Sequence, residues 1–284
     1  MTLDIAGAPF LAAPPLRRRE WAFQLCVAIL AVAVGAAALA PWVAPYDPTA
    51  TGFDAIWVQP GAEHWLGTDQ LGRDLLSRII AGARPTLLGS IALLGLATVL
   101  GVLTGLTAAW RRGWVDTLLA RVTDVMFAFP GLLFVIMIIA VFDSGAVTAV
   151  VGMGLAYAPL IAKFTRAIAL DELARPYVDS YRLQGVGGTG LCLRYVLPNM
   201  VPTLLGYLVV LFGEGLMSLA SLNFLGFGSQ PPSSDWGLMV EESRSGVIQG
   251  VLWPALVPGL TIAVVVMATN VVGVRLSDKL SARR

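Results

Sequence analysis

Hydrophobic and polar positions divide the chain into six long apolar stretches separated by polar loops rich in Gly and Pro. The stretches cover residues 21–40, 85–109, 125–142, 144–162, 200–227 and 250–274. Five of them hold no charged residue, and the 200–227 stretch holds one, Glu214. About 20 apolar residues in helical form cross the hydrocarbon core of a bilayer. In lipid every backbone polar group must be satisfied within the protein, which leaves helices or closed barrels. None of the stretches alternates with period two and all are too long for strands, so a β-barrel is excluded. The pattern therefore predicts an all-α, polytopic membrane protein with six transmembrane helices. Pro130, Pro159, Pro254 and Pro258 fall inside the stretches, where neighbouring helices and Ser or Thr groups can satisfy the carbonyls they free.

Composition supports this reading. Of 284 residues, 57% are hydrophobic and 13% charged, with a mean hydropathy of +0.77. Soluble domains carry about 25% charged residues. Nineteen basic against eighteen acidic residues leave a net charge of +1, which excludes a nucleic-acid-binding class. Two cysteines, Cys26 and Cys192, make no disulfide framework, and a single histidine, His64, argues against a His-built metal site. The first stretch has signal-peptide features, namely Arg17–Arg19 before it and Ala38-Leu39-Ala40 near its end. Its length and the following Pro41 favour an uncleaved anchor.

Charge placement orients the spans. With the N-terminus inside, the cytoplasmic side holds Arg17, Arg18, Arg19, Arg111, Arg112, Arg121, Lys163, Arg166, Arg175, Arg182, Arg194, Arg275, Lys279, Arg283 and Arg284. Only Arg73, Arg78, Arg84 and Arg244 remain outside. Basic residues gather on the cytoplasmic side of membrane proteins, so both termini are expected to be cytoplasmic.

Three loops exceed mere connectors. The outer loop over residues 45–84 contains Asp69 and Asp74, but lacks the alternating ligands of a Ca²⁺ loop. It is expected to form turns and a short amphipathic helix over 71–80 on the outer face, with His64 structural. The inner loop over 163–199 has Pro176 suited to a helix start and Gly185 suited to a positive-φ stop. A second short helix is expected over 191–196, ending before Pro198. The first helix carries Tyr177 and Tyr181 at i,i+4 and Asp179 and Arg182 at i,i+3. It is either a solvated loop helix or a docking knob for a cytoplasmic partner. The outer loop over 226–250 has a turn sequence before Trp236, a residue suited to the membrane interface.

Polar groups at membrane depth are few. Glu214 reads either as a pathway-lining carboxylate or as a structural one. Asn270 is candidate interhelical glue, and Asp124 is expected to pair with Arg121. Gly101 and Gly105 form a GxxxG that permits close helix contact. No GxxxxGK[ST] occurs, so the chain should bind no nucleotide itself. An intramembrane hydrolase would need a metal motif, a Ser/His pair or two intramembrane aspartates, and none is present.

Several motifs in order carry a resemblance to a known family. His64-x-Leu-Gly-Thr-Asp-x-x-Gly-Arg-Asp-x-x-Ser-Arg78, Arg121-x-x-Asp124 with Ala128-Phe129-Pro130, and Ser221 through Gly228 followed by Pro231-Pro232 and Trp236-Gly237 are the residues concerned. They resemble the inner-membrane permeases of dipeptide, oligopeptide and nickel ATP-binding-cassette importers, C-type subunit. The resemblance implies a type I importer permease fold in a bacterial inner membrane. Residues 1–84 would form an N-tail, an outer arm and an extracytoplasmic loop, and residues 85–284 a five-helix core. It implies a second homologous permease, two cytoplasmic ATPase subunits that hold ATP and Mg, an extracytoplasmic substrate-binding protein and surrounding lipid as partners. No cofactor or metal is expected in this chain, and no enzymatic activity. The coupling segment would be Tyr177, Val178, Asp179, Ser180, Tyr181, Arg182 and Gly185. The family's Glu-Ala-Ala is here Asp179-Ser180-Tyr181, while Gly185, Leu197 and Pro198 agree with it. The Glu usual before Ala-Ser-Leu is Leu219 here, so that role does not pass to Glu214. Pathway candidates on the same stretch are Glu214, Ser218, Ser221 and Asn223. A peptide is the expected substrate, and nickel or another small solute the alternative. A membrane receptor or assembly scaffold is the reading from another class.

Overall fold

The computed structural model describes residues 16–281. The tail ahead of Leu16 and the last basic residues, Arg283 and Arg284, lie outside the described residues. Helix α1 (Leu16–Val43) runs through Ala38–Ala40 and Pro41 without a break. Helix α2 (Leu75–Arg111) is 37 residues long. At 1.5 Å per residue that is about 56 Å, well beyond a hydrocarbon core of about 30 Å.

The start of α2 differs from the separate 71–80 helix expected. Asp74 caps it by accepting from Ser77 N and Ser77 Oγ at 2.8 and 2.7 Å. Helix then continues unbroken from Leu75, because Ser77 and Arg78 point into the protein rather than lying on its surface.

The 125–142 stretch also differs. It is divided between α3 (Gly113–Ala128) and α4 (Gly131–Phe142), bent by 89°. Pro130 cannot donate a backbone hydrogen bond, and the residue before it is driven out of the helical region; Phe129 sits at φ −95°, ψ 132°. Among the described residues, five helices are long and apolar enough to cross a membrane, and this bent pair makes a sixth when counted as one crossing.

Helix α5 (Ala146–Leu173) packs along α2. Gly101 and Gly105 are the reason: a Cβ on Gly101 would lie 2.6 Å from Ile161 Cβ, and one on Gly105 would meet the Ala162 carbonyl. The GxxxG therefore serves contact within the chain.

After α5 come α6 (Pro176–Leu183) and α7 (Gly188–Leu191), then a widened turn over Cys192–Val196 that leads directly into α8 (Leu197–Phe224). The second short helix expected over 191–196 is therefore the base of α8. The widened turn lets helix continue past Pro198, with Leu197 N bonding back to Cys192 O. Short α9 (Trp236–Glu242) and α10 (Arg244–Ile248) cover the end opposite α6, and α11 (Trp253–Ser281) returns along α8. Helix α1 leans on α2 and α11 but is barely buried, as an outer arm would be.

Candidate functional site

Three regions concentrate polar chemistry: the α6 end, the open face of α8, and the opposite end around α9.

At the α6 end, an apolar cluster joins the ends of three long helices. Leu106 and Ala109 of α2, Ala169 and Leu173 of α5, and Val196 and Met200 at the base of α8 enclose Val178 of α6. Val178 is 0% exposed, so it is the root of this segment and not part of its outer surface. Tyr181 stacks on Tyr195 at 4.1 Å and meets Tyr177 edge-on at 6.2 Å. The Tyr177 hydroxyl donates to Glu172 at 2.8 Å and accepts from Asn199 at 3.2 Å. Burial pushes the Tyr177 phenol up, and the bond to Glu172 adds to this, so it remains a donor.

Asp179, Ser180, Arg182 and Gln184 face outward, with Asp179 and Arg182 in an exposed pair at 3.3 Å. Arg182 also lies over the Trp110 ring at the end of α2, 5.7 Å from its centre. Gly185 ends the helix at φ +78°. Leu183 is 90% exposed and forms the tip. Spacing gave no sign of it, since an isolated Leu beside charged residues reads as core.

On α8, Glu214 lies in the middle of the helix and is exposed along with Met217, on the side that also carries Ser218 and Ser221. Ser221 Oγ bonds back to Met217 O, and Ser218 Oγ shares a 2.8 Å hydrogen bond with the Tyr157 hydroxyl of α5. No cation pairs with Glu214 among the described residues. A carboxylate at membrane depth costs about 2.5–3.5 kcal/mol on insertion scales, which disfavours a lipid-facing position.

Asn223 departs from the expectation of a pathway residue. It is 2% exposed, donates to Asp235 at 2.7 Å and accepts from Ser229 N at 2.9 Å, because the following loop folds back over it.

Opposite α6, the outer loop is tied down by buried ions. Asp69 takes Arg73 Nε at 2.6 Å and Arg78, and Glu242 of α9 takes the same two arginines at 2.9 and 2.7 Å. His64 Nδ1 is 2.9 Å from the capping carboxylate of Asp74, and its ring lies 5.1 Å from that of Tyr46. Trp236, expected to face the membrane interface, is turned into the protein instead. It is buried, with Nε1 donating to Ile79 O at 2.9 Å. Its neighbour Asp235 caps α9 and accepts from Thr86 at 2.9 Å; burial pushes this carboxyl up, against bonds that pull it down. Asp124 bonds Lys163 of α5 at 2.9 Å rather than Arg121, because α3 packs against α5. Asn270 Oδ1 is buried beside Gly213 with no hydrogen-bond partner, so that atom bridges no helices.

Residues 97–284 match the family of binding-protein-dependent transport system inner membrane components. The chain belongs to this family. The permease is 38% identical over 253 residues to the di/tripeptide transport system permease protein of Pseudomonas aeruginosa, covering 87% of this chain and 83% of that one. It is 34% identical over 270 residues to the glutathione transport system permease protein of Escherichia coli, covering 94% and 88%. In fold it is similar to the inward-facing MetNI methionine ABC transporter, with a TM-score of 0.61 and 15% identity over 72% of this chain and 97% of that chain. The permease is thus a multi-pass inner-membrane component of an importer that works with ATPase and binding-protein components.

Proposed function

We propose that this permease forms half of the translocation pathway of an ATP-driven peptide importer. The other half would come from a second, homologous permease. Two cytoplasmic ATPases, holding ATP and Mg, would supply the energy, and an extracytoplasmic binding protein the substrate. Relatives named for di- and tripeptide and for glutathione transport support a peptide cargo. The basic residues Arg111, Arg112, Arg175, Arg182 and Arg194, gathered at the α6 end, support placing that end and both termini in the cytoplasm.

The observation that carries the reading is the rooting of α6. One side, Val178, is wedged among the ends of α2, α5 and α8, while the other presents Leu183, Arg182 and Asp179 to solvent. Such a knob passes force: a partner gripping the tip moves three spanning helices as a rigid body. Closure of the ATPases on ATP would push α6 and switch the face carrying Glu214, Ser218 and Ser221 between outward and inward access. The permease itself contributes no catalysis in this scheme.

The test is Leu183→Asp and Gly185→Val in the reconstituted complex. Gly185 holds a positive φ that a β-branched residue adopts at a cost of about 1 kcal/mol or more. Both variants should reach the membrane in normal amount, lose most of the co-purifying ATPase and uncouple hydrolysis from uptake. Full assembly with full coupling in both would mean that α6 is only a solvated loop helix.

A further inference from the structure

The bend at Pro130 leaves a cleft that no connection in the fold fills. It lies between the α3–α4 break, α5 and α8, with a volume of about 290 Å³. That is at the lower end of ligand pockets, a size for one side chain rather than a whole solute. Its walls are Met126, Phe127, Phe129, Phe134, Met153 and Tyr157. Aromatic faces and flexible thioethers accommodate apolar groups of varied shape. Ser218 also lines it, its hydroxyl already bonded to Tyr157.

One turn of α8 from Ser218 stands Glu214, unpaired by any cation among the described residues and open on the same side of the helix. A carboxylate one turn from an apolar cleft complements, at the scale of a single residue, the chemistry of a peptide's amino end: an ammonium next to a side chain.

We propose that Glu214 and the Pro130 cleft form a substrate subsite within the membrane, selecting peptides with a free, protonated amino terminus beside a bulky apolar or aromatic side chain. This rests on the peptide-importer reading above and adds selection by the permease itself, downstream of any binding protein. Glu214 takes the ammonium, which would otherwise enter the membrane unpaired. The cleft takes the side chain, and the Tyr157–Ser218 pair sits where the two meet. The methionines make the cleft tolerant of shape, so size and apolarity are selected rather than one residue.

The experiment is uptake into proteoliposomes by the complete complex with its own binding protein, using four dipeptides. Phe-Ala and Gly-Ala are each supplied free and N-acetylated, and ratios rather than absolute rates are read. In Glu214→Gln the free-to-acetylated ratio should fall about tenfold, the worth of one charge-assisted hydrogen bond, and Glu214→Asp should restore part of it. In Ala156→Phe, which fills the cleft wall, the Phe-Ala to Gly-Ala ratio should fall while the free-to-acetylated ratio holds. Ratios are unaffected by lower amounts of folded complex. Wild-type ratios in both Glu214→Gln and Ala156→Phe would overturn the subsite and leave peptide import standing. Absence of uptake of any peptide by the wild-type complex, with ATPase activity intact, would overturn the importer reading and the subsite with it.

Discussion

At the scale of single residues, the outer end shows how charge is made tolerable in a protein with few charges. Arg73 and Arg78 face Asp69 and Glu242 in a buried, neutral group of four, linking the outer loop, α2 and α9. Removing one member leaves an uncompensated buried charge, worth about 3–5 kcal/mol, whereas removing an opposite pair costs much less. Arg78, 1% exposed, is the member to test. Arg78→Met should markedly lower the thermal unfolding temperature of the purified complex and expose the outer loop to protease. Adding Glu242→Gln should recover part of the loss, because the remaining Arg73–Asp69 pair is again neutral. A double variant no more stable than the single one would contradict this account.

At the scale of elements, one proline decides the shape of the third crossing. Phe129 and Pro130 interrupt helical hydrogen bonding, and the arms on either side turn through 89°. The arm before the bend is tied to α5 by Asp116 against Arg166, with two contacts of 2.6 Å, and by Asp124 against Lys163. Pro130→Ala restores the N–H and removes the steric bar on Phe129. Spin labels at exposed Leu118 and Val141 should then show a broader distance distribution reaching longer values, together with weaker peptide uptake. An unchanged distribution would mean that the ion pairs alone hold the bend.

At the scale of the whole molecule, the prediction concerns which end faces which compartment. In a background lacking Cys26 and Cys192, single cysteines at the exposed positions Thr51 and Gln230 should react with an impermeant thiol reagent added to intact cells. One at Ser180 should react only after the inner membrane is opened. All three are exposed in the fold, so reactivity reports the side and not burial. Labelling of the Ser180 variant in intact cells would invert the topology and place α6 away from any cytoplasmic ATPase.

The sequence by itself determined the solvent and the helical form of the crossings. Long uncharged runs have no other stable setting than lipid, and a run of that length in lipid must be helical. It determined the turn at Gly185 and the helix start at Pro176 as well, because both are set by the φ values a residue can adopt and need no distant partner. What required the tertiary structure was every choice between partners. Asp124 had Arg121 within reach along its helix but bonds Lys163 of another one. Trp236 and Asn223 read as interfacial and pathway residues, yet Trp236 packs into the start of α2 and the loop after α8 folds over Asn223, so both are buried. Val178 and Leu183 are equally apolar and five residues apart, and only the packing of α6 against three helix ends makes one the root and the other the tip. Local geometry is written in local chemistry, whereas a side chain with two possible environments takes the one that the assembled helices leave to it.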